Sequence, residues 1–257
     1  MRILVVSDIH ANWAALGAIR EEHDVCLCLG DLVDYGPDPV PCVRWAMGHA
    51  TYSIRGNHDH GVAQGIRVVG DSGFRYLTRV SRPSMWEALG ADERRYLLQL
   101  PVTQRATLAG KEFLLVHATP RDPLDEYLMK DPDVWARRLA ETEADIVCVG
   151  HSHLQFNLQV GRAVVLNPGS VGLPRDGDPR AAYAIIDDNR IELKRIEYPV
   201  EEAVARVEAM PWPRRARDMM IATLRTGRLP GPADPPPGED STDEPPATPA
   251  DPASGKE

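Results

Sequence analysis

Five short apolar runs in this chain each stop abruptly at a polar cluster of aspartate, asparagine and histidine. Ile3–Val6 leads into Ser7-Asp8-Ile9-His10, Val25–Leu29 into Gly30-Asp31, and Tyr52–Ile54 into Gly56-Asn57-His58-Asp59. Glu112–Val116 leads into His117, and Asp145–Val149 into Gly150-His151-Ser152-His153. Short, nearly continuous apolar runs are the mark of strands buried on both faces. Helical spacing fills the gaps, over Asn12–His23, Pro41–His49, Ala91–Leu100 and Asp133–Glu143. The chain is therefore an α/β fold with its polar clusters at strand exits, where open α/β sheets carry their sites.

The second half adds strands that favour antiparallel pairing. Val102–Leu108 and Glu112–Val116 flank Ala109-Gly110, a hairpin turn. Leu154–Val160, Ala163–Leu166, Ala182–Ile186 and Arg190–Ile196 follow, joined by Gly161-Arg162 and Asp187–Asn189. Two helices, Glu201–Met210 and Trp212–Arg225, close the body. The layout predicts a mixed sheet pair with helices outside. One domain covers residues 1–228. Residues 229–257 read as a disordered, Pro-rich acidic tail, with nine prolines, no aromatic residue and Leu229 as the only large aliphatic. Such a segment cannot bury enough apolar surface to offset its ordering entropy.

No apolar run approaches the ~20 residues of a membrane span, and the first ten residues lack a signal-peptide pattern. With four cysteines in no zinc spacing, this places the protein in the cytoplasm, with no membrane partner. The formal net charge of −9 argues against a partner bound by phosphate neutralisation, such as nucleic acid. Part of that charge belongs to the tail, which holds seven acidic and two basic residues from Arg228 onward. Nothing in the pattern commits the chain to an oligomeric state.

Packing gives no reason to bring so many donors to strand ends. Five of the eight histidines lie in these clusters, with Asp8, Asp31 and Asn57. Carboxylate, imidazole and amide oxygen without cysteine suit borderline cations: Mn²⁺ first, with Fe²⁺, Zn²⁺, Ni²⁺ or Co²⁺ as alternatives. The donor number exceeds one coordination sphere and implies two divalent metals, a carboxylate being the natural bridge. Two ions ~3.5–4 Å apart suit in-line displacement at phosphorus.

The ordered motifs D-x-H, GD-x-x-D, GNHD, H and GH-x-H resemble the calcineurin-like metallophosphoesterase superfamily. SDIHANWAAL, GDLVDYGPDP and NPGSVGLPRDGDPRAAYA are similar to its compact bacterial phosphodiesterase branch. The resemblance implies a four-layer αββα sandwich with a dinuclear metal site at the sheet rim. It implies that Asp8, His10 and His153 hold one metal, that Asn57, His117 and His151 hold the other, and that Asp31 bridges. His58 would not ligate but would protonate the leaving oxygen as a general acid while a metal-bridging hydroxide attacks. The expected reaction is hydrolysis of a small phosphoester or nucleotide, a phosphodiester first. A nucleotide phosphatase or diadenosine-polyphosphate hydrolase is the alternative enzyme. A metal-containing interaction scaffold is the alternative from another class, and it has no use for His58.

Three further residues are assigned on weaker signals. Asp34 lies where the superfamily often pairs an aspartate with the catalytic histidine, although an aspartate in a Gly/Pro turn is common for local bonding. Arg175, near the Asn167–Ser170 turn, is a candidate phosphate contact. Tyr35 is a candidate platform for a base or aryl group.

Overall fold

In the computed structural model, residues 1–188 and 190–230 are described. Two five-stranded mixed sheets lie face to face. The first contains β1 (Arg2–Val6), β2 (Val25–Cys28), β3 (Tyr52–Ser53), β9 (Ala181–Asp187) and β10 (Arg190–Ile196), in the order β10-β9-β1-β2-β3. The second contains β4 (Thr103–Leu108), β5 (Lys111–Val116), β6 (Ile146–Cys148), β7 (Gln155–Val160) and β8 (Ala163–Pro168), in the order β4-β5-β6-β8-β7. β1, β2 and β3 run parallel, as do β5, β6 and β8, and the other strands pair antiparallel at the flanks.

The period-two alternation of each strand explains the layers. Ile3, Val5 and Leu27 point inward and meet Phe113, Leu115 and Cys148 of the facing sheet. Leu4, Val6, Cys26 and Cys28 point outward under the helices. These are α1 (Trp13–Ala18), α2 (Pro39–His49), α3 (Asn57–Ala63), α4 (Gly73–Ala88), α5 (Ala91–Gln99), α7 (Val200–Glu208) and α8 (Arg214–Thr226). Beyond the second sheet the outer layer is thin: α6 (Pro132–Arg138) lays Trp135 over Leu114, Val116 and Phe156. The αββα sandwich expected from the sequence is thus present, with very unequal outer layers.

Several element ends differ from the sequence expectation. The first helix stops at Ala18, where Ile19 turns extended, instead of reaching His23. The sixth stops at Arg138, not Glu143. α3 and α4 were not anticipated, because α3 begins inside a polar Asn-His-Asp-His run and Pro83 interrupts α4. Ala109 and Gly110 both have positive φ, 49° and 74°, which is the two-residue turn that matches strand twist in a hairpin. Leu229, placed by sequence at the start of the tail, packs against the helical side of the first sheet. Residues 231–257 of the expected tail lie outside the described residues.

Candidate metal centre

Every expected site residue sits within seven positions of the carboxyl end of one of the six parallel strands. Asp8 and His10 follow β1, Asp31 follows β2, and Asn57 and His58 follow β3. His117 follows β5, His151 and His153 follow β6, and Arg175 lies in the loop after β8. Parallel strands aim their exits at one rim, so residues far apart in sequence converge there.

The backbone at that rim is bent sharply to bring the side chains inward. Asp8, His10, Asp31, His151 and His153 all have positive φ, between 46° and 62°. Asp34 and Tyr35 share that conformation at 65° and 64°. For residues with a Cβ this left-handed region is costly and is tolerated where surrounding structure enforces it. Two glycines make the close approach possible. A Cβ on Gly56 would lie 2.0 Å from Asp31 Oδ1, and one on Gly30 would lie 2.3 Å from the Gly56 nitrogen. Asp59 fastens the same loops, its carboxylate accepting from the backbone N–H groups of Asp31, Leu32 and Gly56 at 2.7, 2.8 and 3.0 Å.

Two groups of side chains that could each hold a metal result: Asp8, His10 and His153, and Asp31, His117 and His151. In the first, His10 Nδ1 donates to Val33 O at 2.9 Å and His153 Nδ1 donates to Leu173 O. Both tautomers are thereby set, and the two Nε2 atoms face each other 3.1 Å apart. Each Nε2 then presents a lone pair, and two lone pairs cannot bond without a cation or proton between them. Burial holds both imidazoles well below their usual range, so they are neutral donors ready for a metal. Asp8 Oδ1 lies 3.3 Å from His153 Nε2 and has no hydrogen-bond donor, although it is fully buried. Burial lifts the Asp8 carboxyl to about 6. An orphaned buried carboxylate oxygen beside two converging lone pairs fits a divalent cation.

In the second group His117 Nδ1 donates to Leu29 O at 2.7 Å, directing Nε2 at Asp31 Oδ2, 3.2 Å away. Asn57 Oδ1 is 3.2 Å from both His117 Nε2 and His151 Nδ1. Asp31 Oδ2 is also 3.7 Å from His10 Nε2, so one carboxylate oxygen lies between the two groups. Burial lowers the His117 imidazole, but Asp31 outweighs it and raises the group to about 10. A cation entering here displaces that proton. The seven expected ligands therefore come together, with Asp31 at the shared position.

His58 stands beside the ligands. Its Nδ1 donates to Asp34 Oδ2 at 2.7 Å, and its Nε2 faces Tyr35 Oη at 3.3 Å. Asp34 is itself held by Arg82, through Nε at 3.1 Å and a short contact from a terminal nitrogen. Arg175 stacks on Phe74, 3.7 Å from ring centroid to Cζ, and its buried Nε has no partner. His58, Tyr35, Arg82 and Arg175 line a cleft of about 400 Å³, together with other residues of α3 and α4 and with Leu124, Asp125 and Tyr127. Sequence reasoning missed Arg82, Asp59 and Tyr127. Arg82 falls on the buried stripe Thr78, Ser81, Arg82, Met85 at helical spacing, but three of those four are polar, so the stripe carries no apolar period to read.

A sandwich of two mixed sheets with two such donor groups at its rim defines a metallophosphoesterase. The chain belongs to the calcineurin-like phosphoesterase superfamily, whose domain model matches residues 1–190. An uncharacterised protein of Methanocaldococcus jannaschii is 32% identical over 80% of this chain and 91% of its own length. Phosphodiesterase YfcE of Escherichia coli is 24% identical over 74% of this chain and 89% of its own. Among solved structures, a metallophosphoesterase from Sphaerobacter thermophilus is 30% identical with a TM-score of 0.73, covering 88% of this chain and 99% of that one. A Pyrococcus horikoshii protein at 20% identity shares the fold with the same TM-score, covering 85% and 97%. Among the described residues, no helix is long and apolar enough to cross a membrane.

Proposed function

We propose that this protein is a metal-dependent phosphodiesterase acting on a small phosphoester or nucleotide in the cytoplasm. The observation that carries the reading is the hydrogen bond from His58 Nδ1 to Asp34 beside two donor groups. Asp8, His10 and His153 would hold one divalent ion and Asn57, His117 and His151 the other, with Asp31 shared. Mn²⁺ suits this donor set, with iron, zinc, nickel or cobalt as substitutes. When bound, such ions neutralise charge on the phosphate and supply a nucleophile from water.

The remaining chemistry belongs to the protein. Asp34 fixes the tautomer in which His58 Nδ1 carries a proton, so Nε2 faces the cleft. A protonated Nε2 donates to the leaving oxygen as the phosphorus–oxygen bond breaks, and Asp34 stabilises the imidazolium. Arg175, with an unpartnered nitrogen, is placed to grip a phosphate oxygen, and the Tyr35 hydroxyl orients the imidazole from its other side. The diester preference is supported by the relative named as a phosphodiesterase. The test compares bis(p-nitrophenyl) phosphate with p-nitrophenyl phosphate on the Mn²⁺-loaded protein. A higher kcat/KM on the diester is expected. A higher value on the monoester overturns the diesterase assignment, and no turnover of either favours a scaffold.

A further inference from the structure

We infer that the cleft continues past the metal centre into a second anion-binding subsite along α4, which receives a further phosphate carried by the substrate's leaving group. This rests on His58 as the proton donor and names the substrate class for that reading. α4 carries Arg75, Arg79, Arg82 and Trp86 at intervals of four, three and four residues. That spacing puts all four on one helix face, spanning ~16 Å at 1.5 Å per residue. Arg75 and Arg82 line the metal cleft. Arg79, Arg82 and Trp86 line an adjoining hollow of about 370 Å³ with Arg67 and Val68 from the segment before α4. The two hollows adjoin at Val68 and Arg82, which line both.

Of the four arginines Arg67, Arg75, Arg79 and Arg82, two are paired with carboxylates among the described residues and two are not. Arg82 is committed to Asp34, and Arg79 pairs with exposed Asp71 at 3.2 Å. Arg67 and Arg75 have no carboxylate partner among the described residues. The outer hollow has three arginines in its lining and no acidic residue. In a chain with net charge −9 such a concentration runs against the overall balance. Arginines along a groove with apolar walls focus an attractive field on an anion.

The position of the proton donor fixes which end of the substrate lies there. His58 and Gly61 belong to α3, which packs on α4, and both helices contribute residues to the cleft. Tyr127 also lines the cleft, its ring against His151. The oxygen that takes a proton from His58 leaves on the α3–α4 side, and whatever it is attached to continues toward Arg75 and Arg67. A phosphate in that arm meets guanidinium groups free to bind it in a forked geometry. A nucleotide or an oligonucleotide end would each bring this chemistry.

The experiment uses a thymidine dinucleotide with no terminal phosphate, with a 5′ phosphate, or with a 3′ phosphate. Cleavage of the internal diester by the Mn²⁺-loaded protein is followed by chromatography, and equilibrium binding of the same three ligands is measured alongside. One phosphorylated form should exceed the unphosphorylated one in kcat/KM and in affinity by about tenfold, the scale of one charged hydrogen bond. The ratio should collapse toward one in Arg67→Ala/Arg75→Ala, survive in part in Arg67→Lys/Arg75→Lys, and shrink with added salt. A ratio near one in the unmodified protein, or a ratio unchanged in the double alanine variant, overturns the inference. Turnover of bis(p-nitrophenyl) phosphate reports separately on the diesterase reading. If that turnover is absent, the binding ratios still decide the subsite. Affinity that keeps rising with oligonucleotide length identifies a nucleic-acid end as the source, and a plateau at the dinucleotide identifies a nucleotide.

Discussion

Arg82 Nε donates to Asp34 Oδ2 at 3.1 Å, with both side chains buried, and Asp34 Oδ2 also accepts from His58. One carboxylate oxygen thus joins an α4 cation to the imidazole at the metal rim. A second Arg82 nitrogen donates to Ile66 O at 3.0 Å, fastening the segment before α4. Removing one partner of a buried pair leaves the other uncompensated, at a cost of ~3–5 kcal/mol. Arg82→Ala should therefore lower stability to denaturant by that amount, with Arg82→Lys closer to the parent. Unchanged stability in Arg82→Ala would show that water replaces the guanidinium.

His58 has a sharper signature. His58→Asn should retain the metal content of the parent, since the imidazole is outside both donor groups. Its rate on an alkyl phosphodiester should fall by roughly 10²–10⁴, and by less on a nitrophenyl diester whose leaving group needs no proton. Asp34→Asn should show the same pattern more weakly. Equal losses on both substrates would leave His58 only a phosphate-gripping role, and loss of metal would make it a ligand.

Asp31 carries the shared oxygen, so Asp31→Asn removes negative charge from both ion positions. Elemental analysis should find two divalent ions per chain in the loaded parent and fewer in the variant, with activity nearly abolished. A parent holding one tightly bound ion contradicts the shared-carboxylate arrangement.

The loop facing His151 is sensitive to acid. Arg138, with Thr119, holds the Glu126 carboxyl down from its ordinary 4.5 to about 2, against the effect of burial. Glu126 therefore binds fewer protons folded than unfolded between those values. Its stabilising contribution is complete above pH ~4.5 and disappears as pH falls through ~2. Glu126→Gln should flatten the fall in stability across that window, as followed by thermal melts from pH 5 to 2. Curves of the same slope would show that the Arg138 pair does not survive in solution.

The segment after Pro230 has almost nothing to bury. Truncation after that residue keeps Leu229 on the core and should leave Tm and turnover of a small substrate nearly unchanged. A fall of several degrees would show that the tail docks on the body.

Much of the site was readable because its chemistry runs against packing. Asp8, Asp31, Asn57 and the five histidines interrupt apolar runs, and no buried strand end needs them. The strands were readable for the converse reason, since Val5 and Leu27 alternate with Leu4 and Cys26 between two apolar layers. α4 was not readable, because Gly73 and Pro83 weaken its local pattern and tertiary contacts with α8 and α2 supply the stability. Arg82 was missed along with it. Its partner Asp34 lies in a Gly/Pro turn, and a pairing across 48 residues leaves no trace in local periodicity. Asp59 was passed over because a carboxylate binding three backbone N–H groups looks, in sequence, like a fourth polar residue in a polar run.

The pairing of β1 with β9 has a consequence for the newborn chain. Arg2–Val5 are joined on one edge by residues as late as Ala184–Asp187, and His10 meets a histidine 143 positions further on. A ribosome must finish most of the body before the second edge of the first strand is covered, the other edge being paired at once by β2, or the first donor group is complete. Pairings of such sequence separation are slow to close. Neither donor group is complete before residues 151–153 have been made. The emerging amino-terminal third, with an unfinished donor set and the β9 edge of β1 still open, is the part most in need of a chaperone's cover.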